Sequence, residues 1–97
     1  MLAFFEAEAR EDLDKAAGWY DRQNAGLGLR FVEQMERLAI AAAEFPESYP
    51  EIEPGVRRAL DRDFETHLYY CVESDHIRVI AVIHASRKPG TWRKRLS

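Results

Sequence analysis

Ninety-seven residues are enough for one domain, 1–97, with a modest core; 46% apolar and 32% charged residues describe an ordinary soluble globule and not a disordered chain, and no apolar run is long enough for a membrane-crossing helix. The net charge of −3 is unevenly spread: residues 1–55 carry −7 and residues 56–97 carry +4. Either the second half meets a polyanion or an acidic protein segment, or the two halves attract one another.

The opening MLAFFEAEARED has no basic lead and turns acidic at once, so it does not read as a signal peptide. Leu2 to Phe5 is short and apolar, a candidate first strand. Residues 6–24 predict a helix, because Ala9, Leu13, Ala16, Ala17 and Tyr20 form one stripe at the helical period. Gly18 inside it costs up to ~1 kcal/mol against alanine, which a close helix–helix contact there would explain. Asn24-Ala25-Gly26 reads as a stop, with Gly28 loosening the start of the next element. Residues 29–45 predict a second helix, with Phe31, Met35, Leu38, Ala42 and Phe45 on its apolar stripe and Val32 and Ala39 widening it. Two helices around a short glycine-bearing turn make an antiparallel hairpin.

Pro46, Pro50 and Pro54 break up the next stretch, so an ordered loop without a regular element is expected there. Residues 56–64 predict an exposed strand, with Val56, Arg58, Leu60 and Arg62 on one face and Arg57, Ala59 and Asp61 on the other. Residues 67–73 form an aromatic, β-branched strand, and Ser74-Asp75-His76 turns the chain into a last strand over 77–83. Ile77, Val79, Ala81 and Ile83 should point one way, and Ile80 and Val82 the other. A strand apolar on both faces belongs inside a sheet. The order is β-α-α-β-β-β: an α+β fold with a helical hairpin packed on an antiparallel sheet.

The last strand runs into a basic, aromatic tail: Arg87, Lys88, Trp92, Arg93, Lys94 and Arg95. With Arg57, Arg58, Arg62 and Arg78 this gives a set of cations suited to phosphates or carboxylates. Trp92 either stacks on a partner's base or apolar anchor, or folds back to pin the tail; a lone large aromatic is more often core. His67, His76 and His84 have no metal-ligand spacing, and no glycine-rich phosphate loop exists, so neither metal nor cofactor is expected. His76 should lie exposed in a turn, while His84 could order the tail through hydrogen bonds. Cys71, the single cysteine, reads as buried and inert; with no second cysteine, a reducing cytoplasm is the expected setting.

The run His84-x-x-Arg87-x-Pro89-x-x-Trp92-x-x-Arg95, directly after an apolar strand, resembles the C-terminus of the RelE/ParE superfamily, the toxins of type II toxin–antitoxin pairs. Gly26-Leu27-Gly28-x-x-Phe31 resembles the hairpin turn of ParE-like members, and Ala9-x-x-Asp12-Leu13 their first-helix pattern. The resemblance spans nearly the whole chain and implies the same fold. RelE-like members cut messenger RNA on the ribosome. ParE-like members, among them plasmid stabilisation proteins, poison DNA gyrase and are not thought to be enzymes themselves.

Carried over by position, Arg87 matches the tail arginine of the nuclease branch and Arg58 lies near its strand cations. Further functional positions fall at about Leu60 and His67, and the proton-transferring Tyr or His falls at Trp92, which has no acid–base function. A nuclease set of Arg58, His67, His84 and Arg87 is therefore partial, unless one of the histidines substitutes. The resemblance implies a ParE-like gyrase inhibitor that is bound by a cognate antitoxin in an oligomeric complex. An mRNA interferase and a non-toxic antitoxin-binding relative are the alternatives. Phe64-Glu65-Thr66, where many relatives carry a proline, keeps the last one open. An acidic amphipathic antitoxin segment would lie along the hairpin or the sheet. The residues expected to meet the antitoxin or the target are Arg57, Arg58, Arg62, Arg87, Lys88, Trp92 and Arg95.

Overall fold

The computed structural model describes residues 1–88 and 90–96, so Pro89 of the tail motif lies outside the described residues. A strand β1 (Leu2–Phe5) leads into helices α1 (Ala7–Gln23) and α2 (Leu27–Glu44). After a 3-10 turn, Pro46–Ser48, come β2 (Glu51–Glu53), β3 (Val56–Asp61), β4 (Thr66–Val72) and β5 (His76–His84), and a second 3-10 turn covers Arg93–Leu96. The strands form one sheet in the order β1-β5-β4-β3-β2, and both helices lie on one of its faces.

The expected helical hairpin on a sheet is present, with two additions. Short turns make β2 to β5 antiparallel, but β1 pairs with β5 in parallel, from Leu2↔His76 to Phe5↔Val79. The sheet is therefore mixed, because these two strands are separated by the long crossover that parallel pairing requires. The proline stretch, expected to be irregular, holds the edge strand β2 between Pro50 and Pro54. Proline is tolerated there because an edge strand leaves one row of its N–H groups unpaired.

The hairpin turns at Gly26, whose φ of 89° is open to glycine at no steric cost. The close contact between helices is at Gly28 and not at Gly18. A Cβ on Gly28 would overlap the Ala17 carbonyl and the Asp21 carboxylate, whereas one on Gly18 would meet nothing tighter than Arg22. The Gly28 N–H donates to Asp21 Oδ1 at 2.8 Å, so this glycine fastens the hairpin where it was expected to loosen it. Ala9, Leu13, Phe31, Met35, Ala39 and Ala42 fill the layer between helices and sheet. Phe45 is not on that stripe. The helix ends at Glu44, the chain leaves helical geometry at Phe45, and its ring is 61% exposed.

β3 keeps the predicted alternation but is not exposed, since Val56, Ala59 and Asp61 are all buried; Arg62 falls in the turn after it. β5 breaks its alternation. Tyr69 pairs with Ala81 and Tyr70 with Val79, leaving Ile80 as an extra residue, a β-bulge. Ile77, Val79 and Val82 consequently face the helices, while Ile80, Ala81 and Ile83 face the opposite side.

Candidate functional site

The side of the sheet away from the helices carries a second apolar cluster of Val56, Tyr69, Cys71, Ile80 and Ala81, and Trp92 packs into it. The Trp92 ring is 2% exposed and stacks on Tyr69 at 5.1 Å between centroids. It therefore pins the tail onto the sheet and is not presented to a partner. Burial pushes the Cys71 thiol up, with the Arg78 charge opposing the shift, so the expected inert cysteine is what stands there.

The cations divide into two sets. In the first, each guanidinium is held within the molecule. Arg57 donates to the Tyr49 carbonyl at 2.6 Å, close to where the Tyr70 hydroxyl donates to the Pro46 carbonyl. Burial pushes that phenol up to about 12, with Arg57 opposing. Arg78 pairs with Glu6 at 2.6 Å and with Glu73 at 3.4 Å. Burial works to lower the Arg78 pKa, but the hydrogen bond and charge of Glu6 outweigh it. Arg93 pairs with Glu53 and lies over the Trp92 ring.

Arg95 is the most heavily engaged. It donates to both oxygens of Asp12, at 2.6 and 3.0 Å, and to the Ile80 carbonyl at 2.9 Å, and it pairs with Glu8 at 3.3 Å. The Asp12 hydrogen bond holds its pKa above the ordinary arginine value against the pull of burial. Asp12 also accepts from the Val82 N–H at 3.0 Å. β1 covers the edge of β5 only as far as Val79, whose carbonyl accepts from the Glu6 N–H. Beyond that point the bulge would leave the Ile80 carbonyl and the Val82 N–H without partners, at roughly 1–3 kcal/mol for a buried group. Asp12 and Arg95 are that pair of partners. The charge difference between the halves is thus partly internal, since Arg78, Arg93 and Arg95 all find acids from the first half.

The second set is Arg58, Arg62, Arg87 and Lys88, none of which makes a salt bridge or side-chain hydrogen bond among the described residues. Asp61 pairs with Thr66 and Thr66 with His84, so the turn carrying Arg62 and the segment carrying Arg87 and Lys88 leave the sheet at the same end. Arg58 lies further in, opposite Tyr69. His67, on the same face as Arg58, is held below the ordinary histidine value by burial first and then by the charges of Arg58 and His84.

The nuclease set is divided between the two faces of the sheet, although the charges of Arg58 and His84 both reach His67. Strand alternation puts His67 with Tyr69 and Ile83 on the free face, whereas His84 pairs with Thr66 on the helix side, beside Trp19, Tyr20 and Leu27. His84 Nδ1 accepts from the Ser86 N–H at 3.0 Å and so orders the start of the tail, as expected. His76 is not in the turn: it opens β5, with its ring edge-on to Phe4 and its Nδ1 against Asp75. Among the described residues no group of His, Cys, Asp and Glu side chains could hold a metal, and no helix is long and apolar enough to cross a membrane.

A family model described as the ParE toxin of the type II toxin–antitoxin system parDE matches residues 3–89. The chain belongs to that family. No curated protein matches it, but 11 chains of known structure do. One of them, from the chromosomal ParDE toxin–antitoxin system of P. aeruginosa, is 17% identical, with 89% of this chain and 97% of that one covered, and superposes with a TM-score of 0.78. At that identity the likeness speaks for the fold: two helices on a five-stranded mixed sheet. This ParE-family member also uses residues that a sequence reading passes over. Asp12 looks like one more acid on a charged helix, and Glu53 like part of a proline loop, yet both hold the tail. The only advance signal for Asp12 was its place in the first-helix pattern.

Proposed function

We propose that this ParE-family toxin inhibits DNA gyrase in the cytoplasm and is neutralised by a cognate antitoxin. The observation that carries the reading is Trp92. The position where a nuclease of the wider superfamily carries a proton-transferring Tyr or His is taken by an indole buried against Tyr69. With His84 turned to the helix side, the free face offers Arg58 and His67, and the Tyr69 beside them is buried beneath Trp92. Poisoning a protein target needs no such group; it needs a surface. Arg58, Arg62, Arg87 and Lys88 supply unsatisfied donors for it, and an acidic antitoxin segment would compete for the same donors.

The test is a gyrase supercoiling assay run beside a cleavage assay on translating ribosomes, with the same purified toxin. Inhibited supercoiling with intact message supports the proposal, and adding antitoxin should restore supercoiling. Cut message with unaffected supercoiling would favour an mRNA interferase working through Arg58 and His67. If induced expression in a bacterium leaves growth unchanged, and neither assay responds, the chain is an antitoxin-binding relative without toxicity.

A further inference from the structure

The tail from Gly90 to Leu96 crosses the free face of the sheet, and among the described residues only side chains tie it there. Its own backbone hydrogen bonds are local, from Arg93 N–H to the Gly90 carbonyl and from Arg95 N–H to the Trp92 carbonyl. Trp92, Arg93 and Arg95 anchor it to the body. Arg93 reaches Glu53 on the edge strand β2, Trp92 lies on Tyr69 in the middle, and Arg95 reaches Asp12 on α1 at the far side. A segment that shares no ladder bonds with the sheet can leave it without disturbing the strands. Gly90 suits a pivot: its φ is 87°, and a side chain there would run into the Arg93 guanidinium.

We propose that residues 90–96 are an ion-latched strap that opens as a unit while the sheet stays folded, baring the apolar face around Cys71. Closed, the strap fixes one end of the segment that carries Arg87 and Lys88, whose other end is fixed by β5; open, it frees those cations from the end of the sheet. The Arg93 and Arg95 anchors are ion pairs, so salt weakens the latch, most at the more exposed Arg93–Glu53 pair, but leaves the Trp92 stack, and opening is an equilibrium that ionic strength shifts. This holds whether the target of the toxin is gyrase or not.

Cys71 reports the opening, because it is the single cysteine, is 7% exposed and belongs to the apolar cluster that Trp92 packs into. The experiment is the rate at which the folded, full-length protein reacts with an aromatic disulfide reagent at fixed pH, across a urea series well below the unfolding transition. The expected result is a slow rate that is nearly independent of urea and rises about threefold between low and high salt. Arg95→Ala should raise it about thirtyfold or more and Trp92→Ala further, while Arg30→Ala, on α2 at the other side of the sheet, should leave it unchanged. Should Arg95→Ala fail to fold, the urea and salt series on the unaltered protein decide alone. A rate that climbs with urea along the global unfolding slope overturns the proposal, since Cys71 would then be exposed only by unfolding. A urea-independent rate that ignores salt overturns the ionic latch.

Discussion

Arg95 and Arg87 are eight residues apart in one basic tail, and both stand among the residues expected from the sequence to meet a partner. The structure gives them opposite roles. Arg95 is enclosed by Asp12, Glu8 and the Ile80 carbonyl, while Arg87 has no side-chain partner among the described residues. What separates them is whether an acid of the first half comes within reach. α1 brings Asp12 and Glu8 to the open edge of β5 and β2 brings Glu53 to Arg93, whereas among the described residues neither Arg62 nor Arg87 pairs with an acid, Asp61, Asp63 and Glu65 at the same end of the sheet included. A basic cluster in a sequence is therefore a mixture, and only the part left over after the fold has neutralised its share is offered to a partner.

Arg95→Ala should be the costliest change. It removes charged hydrogen bonds from Asp12 and orphans the Ile80 carbonyl, for about 2–3 kcal/mol. In a domain of this size that lowers Tm by roughly 10 °C or more, measurable by thermal unfolding. Arg95→Lys should recover only part of the loss, because an ammonium cannot serve both Asp12 oxygens in parallel. Arg78→Ala comes next. Its pairs with Glu6 and Glu73 are each more than a third exposed on the acid side, so solvent screening limits the cost to about 0.5 kcal/mol in chemical denaturation. Arg58→Ala and Arg87→Ala should alter stability least, by under about 0.5 kcal/mol, yet weaken antitoxin binding about tenfold by calorimetry. A stability loss like that of Arg95, or unchanged binding, would break the division into two sets.

The smallest effect is one of pH. The folded state holds His67 below its ordinary value of 6.5, so the unfolded chain binds a proton more readily. Stability is complete above that ordinary value and declines as pH falls through it toward the lowered one. Arg58→Ala removes the second cause of the shift after burial, and should make the decline shallower in acid-titrated denaturation curves.

Much of the fold was legible because its signals are local. The stripes Ala9–Leu13 and Phe31–Met35–Ala42, the stop at Gly26 and the apolar run Ile77–Ile83 each declare their element within a few residues. The parallel pairing of β1 with β5, the bulge at Ile80 and the packing of Gly28 against Ala17 are relations between distant segments, and no short window carries them. The candidate site divides in the same way. Trp92 as a pin is readable from its being one large aromatic among cations. That Arg57 and Arg95 already have partners within the molecule shows only once Tyr49 and Asp12 come into view. Glu65 shows the limit in miniature. Its backbone φ is 47°, which proline cannot adopt and which is visible only in the folded turn.

The division of the cations is tested most directly by a double-mutant cycle on Asp12→Ala and Arg95→Ala, read by equilibrium denaturation. If the pair closes the open edge of β5, the two changes together should cost clearly less than their sum, with a coupling of about 1.5–3 kcal/mol. A coupling near zero would mean that Arg95 is one more solvated cation and that the two sets are one.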